Sequence, residues 1–286
     1  MDAQPARQAE ALVASVRQFE GCIIAYSGGV DSAVVAKAAY LALGDQALAI
    51  TGVSASLASG ELEAAQRIAA AIGIRHRVLD TDELSQPEYL QNAPDRCFHC
   101  KTELYTQLGA EAQRLGIRTI LNGANTDDLG DFRPGMKAAA NHDVRSPLAE
   151  CGLDKAAVRA IAHHWKIEAW DKPATPCLSS RVAYGLSITP ERLARIDAAE
   201  QVLRAQGLGA VRVRLHENQL ARLEVPIAVL PRLCEEGVRL AIVKQLRALG
   251  FRYVTLDLEG FRSGSFQQLV PVEELTRFAQ VEQQQQ

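Results

Sequence analysis

The most constraining stretch of the chain is Ser27-Gly28-Gly29-Val30-Asp31-Ser32. It lies between an apolar run, CIIAYS (22–27), and a helical pattern, DSAVVAKAAYLALG (31–44), that stops at Gly44. Glycine reaches backbone angles closed to other residues. Successive N–H groups at Gly28 and Gly29 can therefore turn inward and form a nest for an anion. The helix that follows adds the positive end of its dipole. Ser27 and Ser32 offer hydroxyl donors, and Asp31 offers a carboxylate for Mg2+. The plainer reading of the same residues is a tight strand–helix turn. Neither G-x-x-x-x-G-K-S/T nor a usefully placed G-x-G-x-x-G occurs, so the two common nucleotide loops do not account for the pattern.

Around this junction the sequence alternates. Strands are expected at 22–27, 46–52, 76–81 and 118–124, with helices at 31–44, 61–73, 102–116 and 154–165 and a fifth strand at KIEAW (166–170). Short strands alternating with helices predict an α/β fold: a parallel sheet with helices on both faces. Ligands then bind beyond the carboxyl ends of the strands. DKPATPCLSSRVAYG (171–185) reads as a linker or active-site loop. Beyond it come a helix (189–207), a hairpin (210–217 and 220–226), two short helical runs and a strand (252–260), which predict a smaller α+β domain. The expected division is 1–170, a loop at 171–188, a second domain at 189–280 and a disordered tail, VEQQQQ, ending at 281–286. At roughly 100–200 residues per domain, 286 residues suit two domains.

Composition narrows the function classes. A net charge of −3 and a pI near 6.1 speak against a chain built to grip nucleic acid. The first twenty residues are too polar for a signal peptide, and no apolar run approaches the ~18 residues of a membrane span. Six cysteines in this pattern do not form a secreted framework, so a reducing cytoplasm is expected. A homo-oligomer without membrane or nucleic-acid contact is a separate expectation. Cys22, Cys151 and Cys234 read as packing. Cys97-Phe98-His99-Cys100 reads as a redox dithiol, half a zinc site or part of an iron–sulfur cluster. Cys177 joins the pair as a third thiol, with His99, His142 or Cys151 as uncertain fourth ligands. Arg181 stands close to Cys177 in sequence, and a neighbouring guanidinium favours the thiolate that a nucleophile or ligand needs. Arg212 and Arg214 alternate on a strand and so share a face, where they could fork onto a phosphate or form a solvated, salt-bridged sheet surface.

SGGVDS resembles the PP-loop of the ATP pyrophosphatases, an adenine nucleotide alpha hydrolase-like group. The resemblance implies attack on the α-phosphorus of ATP, an adenylated intermediate and pyrophosphate release. It places ATP against Ser27, Gly28, Gly29, Val30, Asp31 and Ser32, with Gly52, Ser54 and Gly123 nearby. Asp127 and Asp128, in NGANTDD (122–128), are candidates for assisting Mg2+ or for a solvated turn. DRCFHCK (95–101), RPG (133–135), TPCLSSR (175–181), VRVR (211–214) and LDLEGFRSGS (256–265) together resemble the LarE family of sulfur transferases, which make the nickel-pincer nucleotide. That likeness implies a small-molecule nucleotide substrate, pyridinium-3,5-biscarboxylic acid mononucleotide, whose phosphate meets Arg212, Arg214 and Glu200. It also implies a 4Fe-4S cluster on Cys97, Cys100 and Cys177. Cys177 equally matches the position at which some members sacrifice a cysteine sulfur and leave dehydroalanine. A tRNA 2-thiolation enzyme is the rival reading; the acidic pI and the lack of an evident RNA-binding appendage count against it. An amidating synthetase would have no use for paired cysteines.

Overall fold

The computed structural model describes residues 3–129, 134–173 and 175–262. Arg133 of RPG, Ala174, the last three residues of LDLEGFRSGS and the VEQQQQ tail lie outside the described residues.

In chain order the elements are α1 (Ala3–Val16), β1 (Cys22–Ala25), α2 (Val30–Leu43), β2 (Ala47–Val53), α3 (Glu61–Ile72), β3 (Arg75–Asp80), α4 (Pro87–Leu90) and α5 (Arg96–Leu115). Then follow β4 (Thr119–Leu121), α6 (Pro134–Asn141), α7 (Pro147–Glu150), α8 (Lys155–His164), α9 (Pro190–Ala205), β5 (Arg212–His216), β6 (Leu220–Glu224), α10 (Leu230–Cys234), α11 (Glu236–Ala248) and β7 (Tyr253–Leu256). The chain divides into two compact units. One comprises Met1–Ser54, Ser59–Glu83 and Cys97–Thr175; the other comprises Ala55–Ala58, Leu84–Arg96 and the chain from Pro176 onward. The second unit therefore takes two short excursions from the first half of the sequence.

The first unit is a four-stranded parallel sheet of order β3-β2-β1-β4. Strand side chains alternate between faces, and both faces of β1 and β2 are covered, while the edge strand β3 is largely exposed. Cys22, Ile24, Ala47 and Ala49 face a core shared with α1, α2, α3 and α8. Ile23, Leu48 and Ile50 face the opposite core, built with Tyr105, Leu108 and Ala112 of α5 and with Ala138 and Ala139 of α6. Burial on both sides explains why these strands read as continuous apolar runs.

The expected fifth strand at 166–170 is absent. Lys166 adopts a left-handed conformation (φ 54°) and closes α8: its N–H reaches the His163 carbonyl at 3.0 Å, and Ile167 N–H reaches Ala162 O at 2.9 Å. This double closure is a Schellman-type stop. The chain then makes a 3-10 turn at Glu168–Asp171. Ile167 and Ala169 are buried, which produces the strand-like alternation without a strand. Helix α1 carries Ala9, Leu12 and Val16 on its buried face, three and four residues apart.

The second unit holds a three-stranded sheet of order β5-β6-β7, with β5–β6 antiparallel and β6–β7 parallel. Thr189 caps α9 by accepting from the Arg192 N–H at 3.3 Å, and Pro190 occupies the first turn. No helix among the described residues is long and apolar enough to cross a membrane.

Candidate active site

The glycine-rich loop follows β1 and enters α2. Gly28 has φ 74°, and a Cβ there would stand 2.8 Å from both Cα and Cβ of Ala65 on α3. Glycine is required at this position by conformation and by space. Ser32 Oγ donates to the Gly29 carbonyl at 3.0 Å and accepts from the Ser27 N–H at 3.2 Å; the two hydroxyls are 3.2 Å apart. The serines thus draw the loop into a closed ring around the glycines.

A second loop meets it from beyond β4. A Cβ on Gly123 would stand 2.8 Å from Ser32 N and 3.0 Å from the Asp31 carbonyl carbon, so Gly123 lies flat against the start of α2. Asn125 Nδ2 donates to Asp31 Oδ1 at 3.0 Å. The sequence reading missed Asn125, although it sits inside NGANTDD. Asp128 accepts from the Asn125 N–H at 3.2 Å and approaches Lys155 Nζ at 3.6 Å, while Asp127 accepts from the Lys155 N–H at 3.1 Å. These bonds shape the loop and join it to the start of α8. Burial raises the Asp31 carboxyl above its ordinary pKa; the Asn125 hydrogen bond opposes this and the Asp128 charge adds to it.

Gly52 lies at the carboxyl end of β2, and its missing Cβ leaves room for Leu104 Cδ1 at 2.8 Å. Ser54 Oγ donates to Glu83 Oε1 at 2.5 Å.

Cys97 and Cys100 fall inside α5, which begins at Arg96, earlier than the sequence suggested. Their i, i+3 spacing puts both thiols on one helix face. Cys97 is exposed and Cys100 half-buried. Cys177 belongs to the second unit, is half-buried, and precedes a 3-10 turn at Leu178–Arg181. Its carbonyl accepts from Ser180 N–H at 3.0 Å and Ser180 Oγ at 2.7 Å. Among the described residues no three His, Cys, Asp or Glu side chains gather as a metal site. Cys22 is fully buried, and desolvation pushes its thiol up to about 12.

Arg181 is 1% exposed. Its guanidinium holds Glu200 at 3.0 Å, the Cys177 carbonyl at 3.2 Å and the Pro176 carbonyl. It acts on the backbone around Cys177. Glu200, fully buried, also accepts from Arg204 at 2.6 Å and from the Val213 N–H at 3.2 Å. Arg214 grips Glu224 through two bonds, 2.9 and 3.0 Å, and donates to the Ser180 carbonyl at 2.7 Å. Arg212 stacks on Phe261 with its Cζ 4.2 Å from the ring centre and donates to the Arg262 carbonyl at 2.8 Å. Burial, then the Arg214 and Arg181 charges, lower its pKa to about 10. Arg212 and Arg214 share a face as the alternation required, but that face is buried, which excludes a solvated sheet surface. Glu224 was not foreseen; it stands opposite Arg212 in the β5–β6 register.

A parallel β3-β2-β1-β4 sheet with a glycine-rich loop at the β1–α2 junction defines an ATP-using PP-loop enzyme, and the NAD synthase family profile matches residues 9–103. The chain is 36% identical to the pyridinium-3,5-bisthiocarboxylic acid mononucleotide synthase of Lactiplantibacillus plantarum, over 94% of this chain and 96% of the relative. It belongs to that synthase's family and is an ATP-dependent sulfurtransferase. An uncharacterized protein of Synechocystis is 46% identical over 91% of this chain and 98% of its own length. A tRNA-specific 2-thiouridylase of Azorhizobium caulinodans is 30% identical over 53% of this chain and 48% of its own.

Proposed function

We propose that the chain adenylates a carboxylate of pyridinium-3,5-biscarboxylic acid mononucleotide and converts it to a thiocarboxylate. The observation that carries this reading is the near full-length likeness to the named synthase. A carboxylate is a poor electrophile. In the first step its oxygen bonds to the α-phosphorus of ATP and the bond to pyrophosphate breaks. In the second, a sulfur donor of the hydrosulfide class bonds to the acyl carbon, the bond to AMP breaks, and a proton is released.

Ser27, Gly28, Gly29, Val30 and Ser32 would cradle the phosphates, with Gly52, Ser54 and Gly123 shaping the nucleotide site. Asp31, held by Asn125, would carry Mg2+ to stabilise the charge that develops on pyrophosphate. Arg212, Arg214 and Glu200 would take the substrate's phosphate and its surroundings. Arg181 and Arg204 meet Glu200, and Arg214 and Arg222 meet Glu224, so guanidiniums gather around Arg212 and Arg214, which suits a phosphate.

Cys97, Cys100 and Cys177 would hold a 4Fe-4S cluster, which when bound supplies an iron able to carry sulfide. Their chemistry fits: thiolates are soft donors for such clusters, and two of the three share a helix face. The six free cysteines also suit a reducing cytoplasm.

The test is a single turnover of anaerobically prepared enzyme, followed by pyrophosphate analysis and intact-protein mass spectrometry. Substrate-dependent pyrophosphate release is expected, and Cys97→Ala, Cys100→Ala and Cys177→Ala should each lose iron, sulfide and sulfur transfer. Dehydroalanine at Cys177 in iron-replete enzyme would replace the cluster with a sacrificial cysteine. Absence of substrate-dependent pyrophosphate release would overturn the whole reading.

A further inference from the structure

The stretch from Pro176 to Ile188 carries Cys177 yet contains little regular structure beyond one 3-10 turn. Backbone carbonyls buried in such a segment need partners other than a helix or sheet ladder. Side chains from the excursion at Leu84–Arg96 supply them.

Asn92 is wholly buried and sits in a left-handed conformation, φ 54°. Its Nδ2 lies 2.8 Å from the Ala183 carbonyl, 2.9 Å from that of Leu186 and 3.3 Å from that of Val182. A primary amide has two N–H donors, so three carbonyls share them. The Oδ1 of Asn92 accepts from Arg96 Nη1, and the same Nη1 lies 2.9 Å from the Ser179 carbonyl. Arg96 is 5% exposed. Tyr89 adds a bond between its hydroxyl and Ser179 Oγ at 2.5 Å. Ser179 is two residues from Cys177, inside the turn that Cys177 precedes. The loop is therefore gripped by three buried arginines: Arg181 at the Pro176 and Cys177 carbonyls, Arg96 at Ser179 and Arg214 at Ser180. Of these, Arg96 comes from the excursion in the first half of the sequence.

We propose that Asn92 and Arg96 are positioning residues for the Cys177 loop, fixing where the Cys177 sulfur stands during thiolation without taking part in adenylation. This rests on the sulfur-transfer reading above. It names residues that neither the phosphate loop nor the arginine cluster contains. Arg96 is also the peptide neighbour of Cys97, so one side chain adjoins one sulfur residue in sequence and braces the turn of another. The step concerned is the second: the acyl adenylate plus hydrosulfide gives thiocarboxylate, AMP and a proton.

The experiment measures thiocarboxylate formed per pyrophosphate released, in one turnover of the anaerobic full-length enzyme. The reaction contains ATP, Mg2+, the dicarboxylate mononucleotide and sodium sulfide. Arg96→Met should release pyrophosphate within about threefold of the unmodified protein, while the thiocarboxylate ratio falls at least about tenfold. Arg96→Lys, which keeps the charge and loses the fork, should regain part of that ratio. An unchanged ratio, or equal loss of both products, overturns the proposal. Should Arg96→Met fail to fold, Asn92→Gly decides by the same ratio, because glycine tolerates the positive φ while the side chain with its amide is removed. If the unmodified protein releases no pyrophosphate, the failure lies with the adenylation reading and not with the clamp.

Discussion

The phosphate loop and the arginine cluster handle buried charge in opposite ways. In the loop, Asp31 is a desolvated carboxylate with a raised pKa, held by one neutral amide. In the cluster, Glu200 and Glu224 are fully buried, and each meets two guanidiniums. The loop leaves its anion on a neutral partner, which suits the Mg2+ role proposed for Asp31. The cluster settles its anions with guanidiniums. The two regions can therefore be told apart by whether a buried carboxylate rests on a neutral amide or on guanidiniums.

The contrast breaks first at Glu224. Glu224→Gln removes the carboxylate from buried Arg214, and losing one partner of a buried ion pair costs about 3–5 kcal/mol. Urea unfolding should show a drop of that size; a change below about 1 kcal/mol would mean the cluster is not internally compensated.

Next is Gly123→Ala. Its Cβ would meet the backbone of Asp31 and Ser32, so one loop must shift, and overpacking of this kind costs about 1–3 kcal/mol. Substrate-dependent pyrophosphate release should fall with it, a joint loss that an assay on the folded variant would reveal.

Arg212→Ala should weaken the nucleotide substrate by roughly ten- to a hundredfold, from about 1.5–3 kcal/mol for a lost charge-assisted bond, and leave ATP binding unchanged. Calorimetry with each ligand separates the cases, since equal losses would point to damaged structure.

The smallest effect on stability belongs to Asp31→Asn. Burial raises the folded pKa of this acid, so the native state holds its proton more tightly than the unfolded chain does. Its contribution to stability therefore declines as pH rises through the unfolded and then the folded value, and stays lost above it. Removing the charge should leave the melting temperature at or slightly above that of the unmodified protein at neutral pH, while pyrophosphate release disappears. By the same sign, Mg-ATP affinity should weaken on acidification from a higher pH than an ordinary carboxylate would give, and Asp31→Asn should flatten that dependence.

These regions also differ in how plainly they stand in the sequence. The strand–SGGVDS–helix order is local: glycine, apolar run and helix stop lie within twenty-odd residues, and the structure keeps them together. Asn125 could have been noticed within NGANTDD, but its bond to Asp31 crosses 94 positions. Glu224 needed the β5–β6 register, which alternation within one strand does not give. Arg181 was legible as a neighbour of Cys177, yet its attachment to backbone carbonyls depended on the turn that follows. KIEAW misled because a Schellman stop and a 3-10 turn bury alternate residues, imitating a strand. Helix α1 shows its spacing plainly at Ala9, Leu12 and Val16; there the signal was present and went unread.

Gly28 sits with no room to spare against Ala65 of α3, a helix that follows the next strand in sequence. A side chain at position 28 would push that helix away from the loop, so the loop and the docking of α3 are sterically coupled. ATP affinity is thus a gauge of tertiary assembly as well as a property of six residues. A ligand that protects the α3 amides from hydrogen exchange would be reading the fit of one methyl group against one glycine.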